Sequence, residues 1–184
     1  MTTITPLKIP EVLLITPKRH GDARGWFVET WSVKALAGTP ADTTFVQDNQ
    51  AFSAAKGTLR GLHFQKGAEA QGKLIRAIRG AIFDVAVDIR AGSPTYGVWV
   101  SAVLTAEGGE QLWVPKGFAH AYCTITDDCE IFYKVDAPYA PQSEGGVIWN
   151  DPDLAIPWPL VGEPLLSGKD QVLPRLKDLG PVAA

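Results

Sequence analysis

Phe83-Asp84-Val85-Ala86-Val87-Asp88-Ile89 is the stretch from which the fold of this chain is read. Side chains alternate across an extended strand, so Phe83, Val85, Val87 and Ile89 share one face while Asp84 and Asp88 share the other. The expectation is a half-buried strand. The same texture runs outward in both directions, with short β-rich runs separated by Gly, Pro, Asp and Asn. Strands are predicted at residues 12–15, 26–31, 44–52, 59–64, 74–78, 81–89, 98–104, 111–114, 119–125, 130–135 and 146–149. Helical periodicity is weak and confined to residues 32–36 and the region of 173–179. Fourteen prolines and eighteen glycines punctuate strands and break long helices. Many short strands with polar turns predict an all-β antiparallel sandwich or barrel. No fixed-period repeat or low-complexity linker divides the chain, so residues 1–184 are expected to form one domain. The Pro- and Gly-rich tail after Trp158 is expected to pack on the barrel.

At 184 residues the chain can bury a core without staples. Its 46% hydrophobic and 20% charged residues fit an ordinary soluble globular protein. A net charge of −3 without any Lys/Arg run gives no footprint for nucleic acid, so an anion must be held by a few placed cations. Cys123 and Cys129 are expected to be free thiols. Residues 1–6 lack the charged and apolar blocks of a signal peptide, and no apolar run has the length of a membrane span. The expectation is a cytoplasmic protein without membrane or nucleic-acid partners.

Chemistry concentrates in Gly57-Thr58-Leu59-Arg60-Gly61-Leu62-His63-Phe64-Gln65, followed eight residues later by Lys73. His63 is one of only three histidines. An imidazole in a hydrophobic strand with cations nearby suits proton transfer on an anionic substrate. The segment by itself fits a core histidine bonded to backbone better than a catalytic one. Lys73 after Gly72 fits a solvated turn as well as a pocket cation. Alternation places Tyr133 with Ile131 and Val135, opposite Glu130 and Lys134, which suits either a core tyrosine or a pocket phenol. Arg60 and His63 are three apart, so a regular strand would point them to opposite faces. Either a bulge at Gly61 or a bend is needed for both to meet one ligand.

Two spacings resemble the paired motifs of cupins, small jelly-roll β-barrels. Gly57 precedes His63, Gln65 and Glu69. Downstream, Gly109 precedes Pro115, Gly117 and His120. Metal-dependent cupins place two histidines and a glutamate in the first motif and one histidine in the second. Here Gln65 replaces the second histidine, and an amide is a poor substitute for imidazole at a transition metal. Lys73 further disfavours a bound dication. The expected barrel has no metal ligands and no cofactor.

Further motifs make the resemblance specific. Asp22-Ala23-Arg24-Gly25-Trp26-Phe27-Val28-Glu29 is followed by Gln47-Asp48-Asn49, Arg60-Gly61-Leu62-His63, Lys73 and Asp84–Arg90. Then come Ser93-Pro94-Thr95-Tyr96-Gly97, Pro115-Lys116-Gly117-Phe118-Ala119-His120, Tyr133, Tyr139 and Trp149-Asn150-Asp151-Pro152. Their order and spacing, over about residues 8 to 170, closely resemble the dTDP-4-dehydrorhamnose 3,5-epimerase family. The resemblance implies a cupin-like barrel and a dTDP-linked 6-deoxy sugar with a ketone at C4. Inversion at C3 and C5 then proceeds through enolates, without a redox cofactor or metal.

It also implies site residues. His63 would be the base, Asp170 its orienting carboxylate, Tyr133 the acid and Lys73 the cation for the C4 oxyanion. Arg24 and Arg60 would bind the diphosphate. His120, Glu29, Gln47, Asp48, Asn49, Glu144 and Lys169 would contact substrate, and Tyr139 would stack on thymine. A homodimer with shared nucleotide sites is implied, with Arg24 and Glu29 on a strand able to cross to the partner. Ala121-Tyr122 depart from the glycine and phenylalanine common in the family, an added methyl and hydroxyl able to reshape the pocket wall. Competing readings are an epimerase of one centre only, a 3,4-ketoisomerase, a non-catalytic sugar-nucleotide-binding cupin and a metal-dependent cupin.

Overall fold

The structure is a computed structural model describing residues 2–180 and Val182. In chain order its strands are β1 (Thr3–Pro6), β2 (Leu13–Thr16), β3 (Arg19–Asp22), β4 (Gly25–Val28), β5 (Gln47–Ser53), β6 (Leu59–Gln65) and β7 (Lys73–Arg79). There follow β8 (Ala81–Asp88), β9 (Trp99–Thr105), β10 (Gln111–Val114), β11 (Phe118–Thr124), β12 (Cys129–Val135) and β13 (Glu144–Gly146). One sheet has the order β1-β2-β10-β7-β12-β5 and the other β13-β6-β11-β8-β9. Neighbouring strands within each sheet are antiparallel. This is the expected cupin-like jelly roll with minor helices.

Ile75, Leu112, Val114 and Ile131 from the first sheet meet Ile82, Ala86, Leu104 and Tyr122 from the second in the core between them. Val85, Val87, Ile89, Ala119 and Ala121 point out of the far side of the second sheet. There the tail covers them with Val147, Leu154, Ile156, Leu176 and Val182. On the outer side of the first sheet, Leu36, Ala41, Trp31 and Phe45 pack over Leu13, Ile15, Leu74 and Trp113. The α-helix there is one turn, Val33–Leu36, capped by Ser32, whose Oγ accepts from the Ala35 N–H at 3.3 Å.

The reading of residues 83–89 needs correction. Alternation holds, but the strand is buried on both faces. Asp84 and Asp88 are fully buried on the side shared with Ile82 and Ala86, facing the interior of the sandwich. The apolar face looks outward and is buried only because the tail lies across it. Asp88 is satisfied there by Arg90, Ser93 and Thr95, with contacts from 2.6 to 3.0 Å. Those donors hold its carboxyl down to about 2 against the opposing effect of burial.

Other departures are local. β1 and β3 had no apolar alternation to mark them. The run at 26–31 forms strand only over Gly25–Val28, pairing with β3 in a separate hairpin. The stretch near 173–179 forms 3-10 turns at Asp170–Val172 and Leu176–Asp178, with Pro174 between them. Residues 147–149 are not strand; β13 lies just before them. Cys123 and Cys129 are free and buried. No helix among the described residues is long and apolar enough to cross a membrane.

Candidate active site

A cavity of about 540 Å³ opens between the sheets. Strand alternation explains who reaches it. Gln47, Asn49 and Ala51 of β5 line it, while Asp48 points away and its Oδ1 accepts from Lys134 Nζ at 2.9 Å. Tyr133 lines it from β12, Lys73 from β7, and His120 and Tyr122 from β11.

The Arg60–His63 spacing is resolved by a bulge. His120 pairs with His63 and Tyr122 with Arg60, so β6 spends one more residue than β11 between these pairs. The irregularity re-aims one side chain, and both line the cavity. Gly61 is required there: its φ is +121°, and a Cβ would come within 2.5 Å of the His120 carbonyl oxygen.

His63 Nε2 donates to Asp170 Oδ1 at 2.5 Å. A carboxylate can only accept, so the neutral imidazole carries its proton on Nε2 and leaves Nδ1 as the basic atom. Asp170 is buried on a 3-10 turn, with its N–H bonded to Ser167 Oγ at 3.1 Å. Burial pulls the His63 pKa below its ordinary value; Asp170 opposes this, and Lys169 and Lys73 reinforce it. His120 Nε2 likewise donates to Asp84 Oδ1 at 2.8 Å. Burial raises the Asp84 carboxyl, opposed by His120 and Lys73.

Lys73 is only 8% exposed. It is no solvated turn residue, because it begins a central strand paired to Val114 and Val135. Its Nζ reaches across to the His63 carbonyl at 3.4 Å. Burial brings its ammonium down to about 8, with Asp84 and Glu144 opposing. Tyr133 faces the cavity from the opposite sheet to His63. Burial raises its phenol, with Arg60 pulling the other way.

Arg60, Tyr139 and Glu144 also line the cavity. Lys169 is absent from its wall but pairs with Glu144 at 2.5 Å. Arg24 and Glu29 do not reach this cavity. Arg24 sits in the β3–β4 hairpin turn, its side chain 90% exposed and paired with Asp22, and Glu29 accepts from Ser32 at 2.8 Å. Ala121 is correspondingly not on the pocket wall; it packs outside the sheet against the tail, and only Tyr122 of that departing pair lines the cavity.

Three contributors escaped the sequence reading of the site. Asp84 was visible only as an apparent solvent-side carboxylate of an alternating strand. Gln65 was seen as a lost ligand and not as an occupant of the wall. Gln71, which also lines the cavity, gave no signal. Among the described residues, no three His, Cys, Asp or Glu side chains converge as a metal donor set.

An imidazole and a phenol on opposite sheets of a jelly roll, with a buried lysine lining the same cavity, fit a cupin-type sugar-nucleotide epimerase. The family described as dTDP-4-dehydrorhamnose 3,5-epimerase matches residues 6–178. The chain belongs to that family. The dTDP-4-dehydrorhamnose 3,5-epimerase of Sinorhizobium fredii is 53% identical over 173 residues, covering 94% of this chain and 89% of that protein. The Bacillus anthracis enzyme, solved with TDP and PPi bound, is 45% identical with a TM-score of 0.92, covering 95% of this chain and 99% of that one. The Legionella pneumophila epimerase, in complex with dTDP-4-keto-L-rhamnose, is 42% identical with a TM-score of 0.93, covering 98% and 95%.

Proposed function

We propose that this cavity inverts C3 and C5 of dTDP-4-dehydro-6-deoxy-D-glucose, in dTDP-L-rhamnose biosynthesis. Hydrogens on both carbons are acidified by the C4 ketone. Nδ1 of His63 takes the proton, the C–H pair becomes the enolate C=C bond, and negative charge moves to the C4 oxygen. Lys73, buried and cationic, stabilises that oxygen where water cannot screen it. Tyr133 then returns a proton to carbon from the other face, inverting the centre. The imidazolium releases its proton to solvent and the phenolate recovers one, so no electron leaves the substrate. His120, held by Asp84, contacts the sugar.

The observation that carries this reading is the His63–Asp170 pair at 2.5 Å on one wall, facing Tyr133 on the other. The diphosphate lies along Arg60, and the nucleobase lies between Gln47, Asn49 and Tyr139 at the mouth. The chain works as one cupin-like domain over residues 1–184, in the cytoplasm, as a homodimer. Supporting the dimer, the β3–β4 hairpin leaves Trp26 61% and Phe27 71% exposed beside Arg24. In the dimer Arg24 and Glu29 complete the nucleotide site of the neighbouring subunit, and Asp48 and Lys169 approach substrate at its edge.

The test is turnover by exhaustively chelated protein. Conversion of dTDP-4-dehydro-6-deoxy-D-glucose to dTDP-4-dehydro-L-rhamnose, followed by NMR, is the expected outcome. Binding of dTDP without turnover, or activity that returns only with added metal, overturns the proposal.

A further inference from the structure

Gln65 stands where a metal-binding cupin keeps a histidine, and its buried amide is fully engaged. It is 5% exposed at the end of β6. Its Nε2 donates to the Glu69 carbonyl at 2.6 Å and the Pro138 carbonyl at 3.1 Å, while its Oε1 accepts from the Ala140 N–H at 2.9 Å. Two of these bonds therefore fall on the residues immediately before and after Tyr139.

Two more glutamines hold the same segment. Gln71 Nε2 donates to the Ala137 carbonyl at 2.7 Å, and Gln47 Oε1 accepts from the Tyr139 N–H at 3.1 Å. Each residue from 137 to 140 thus has a backbone group tied to a glutamine amide. The segment lies between β12 and β13, outside any strand ladder, so its polar backbone must find partners elsewhere. The ring of Tyr139 is by contrast left free, with the residue 56% exposed at the cavity mouth.

We propose that Gln65 is a positioning residue for recognition of a pyrimidine nucleoside diphosphate, acting by fixing the 137–140 backbone that presents Tyr139. The proposal rests on the reading above that Tyr139 covers the nucleobase. Only an amide serves at this position. A carboxylate cannot donate to the two carbonyls, and an aliphatic side chain leaves all three backbone groups, the buried Ala140 N–H among them, without this partner. A stacking ring is useful to a ligand when its orientation is set beforehand, because ordering it on binding subtracts from affinity.

The test is a double-mutant cycle of Gln65→Leu and Tyr139→Ala, read as the KM and kcat for the dTDP-sugar and the Kd for dTDP. Each single variant is expected to raise KM and Kd by about 5- to 100-fold, the range of base–aromatic stacking, with kcat within about 3-fold of wild type. The double variant is expected to bind no more than about 2-fold weaker than Tyr139→Ala alone, because both changes remove one interaction. With a sugar 1-phosphate lacking the nucleoside, Gln65→Leu and wild type are expected to share one kcat/KM. Gln65→Asn, which keeps the amide but shortens its reach, goes through the same cycle in case the leucine variant does not fold. Full additivity, or a fall in kcat at unchanged KM, overturns the proposal while leaving Tyr139 as the stacking residue. Wild-type dTDP affinity in Tyr139→Ala overturns the reading of Tyr139 itself and the proposal with it.

Discussion

His63 and His120 face each other directly across β6 and β11, and each imidazole is held through Nε2 by its own buried aspartate, at 2.5 Å to Asp170 and 2.8 Å to Asp84. Their surroundings separate their roles. Asp170 comes from the C-terminal segment and leaves the His63 side chain 32% exposed at the cavity, whereas His120 is 11% exposed against a carboxylate of the sandwich interior. The first has room to exchange protons with a ligand. The second is fixed in the wall.

Replacing His63 by alanine or Tyr133 by phenylalanine removes the proposed base or the proposed acid without touching the nucleotide end. We expect kcat to fall by about 10² to 10⁴ in each, with the dTDP Kd changed by less than about 3-fold. Isothermal titration and an NMR turnover assay measure the two quantities. Equal losses of affinity and rate would place these groups in binding only.

The pH profile follows from two opposed requirements. His63 must be neutral to accept a proton, so activity rises as pH passes its lowered pKa, below the usual value of about 6.5. Lys73 must be charged, so activity falls as pH passes about 8. Tyr133, raised above its ordinary range, stays protonated throughout. The expected kcat profile is a bell whose alkaline limb disappears in Lys73→Arg, because the guanidinium does not titrate there.

Asp170→Asn removes the carboxylate that opposes desolvation at His63. The acid limb is expected to move to lower pH, and kcat to drop by more than about 10-fold as the tautomer is no longer fixed. An unchanged acid limb would show that Asp170 does not govern the base.

Gly61→Ala tests the bulge. The substitution meets the His120 carbonyl oxygen at 2.5 Å and the Ala121 Cβ at 2.6 Å, at a φ of +121°. A loss of about 1–3 kcal/mol or more is expected in urea denaturation, with activity reduced because Arg60 and His63 lose their common wall.

Alternation made β8 and β12 legible, and with them the inward side of Tyr133. It misled at Asp84 and Asp88 because a strand covered on both faces no longer says which face is the interior. The deciding element, the tail carrying Leu154, Ile156 and Leu176, is distant in sequence and has no periodicity of its own. Asp170 was readable only through resemblance, since Ser167-Gly168-Lys169-Asp170 looks like a surface turn until the tail is seen folded back to His63. The Gly61 irregularity was half-legible: the spacing demanded a bulge or a bend, and register with β11 selects the bulge. Gln65 was read only as a replacement for a metal-binding histidine, because its partners at Pro138 and Ala140 are backbone groups of a distant loop.

Solvent deuterium is the most direct measure of the central claim that one cavity abstracts protons at two carbons alpha to a ketone. The protein is incubated with dTDP-4-dehydro-6-deoxy-D-glucose in deuterated water, and NMR follows each carbon. Deuterium with inversion at both C3 and C5, abolished in His63→Ala, is the result expected. Exchange at a single carbon, or retention of both hydrogens, would contradict it.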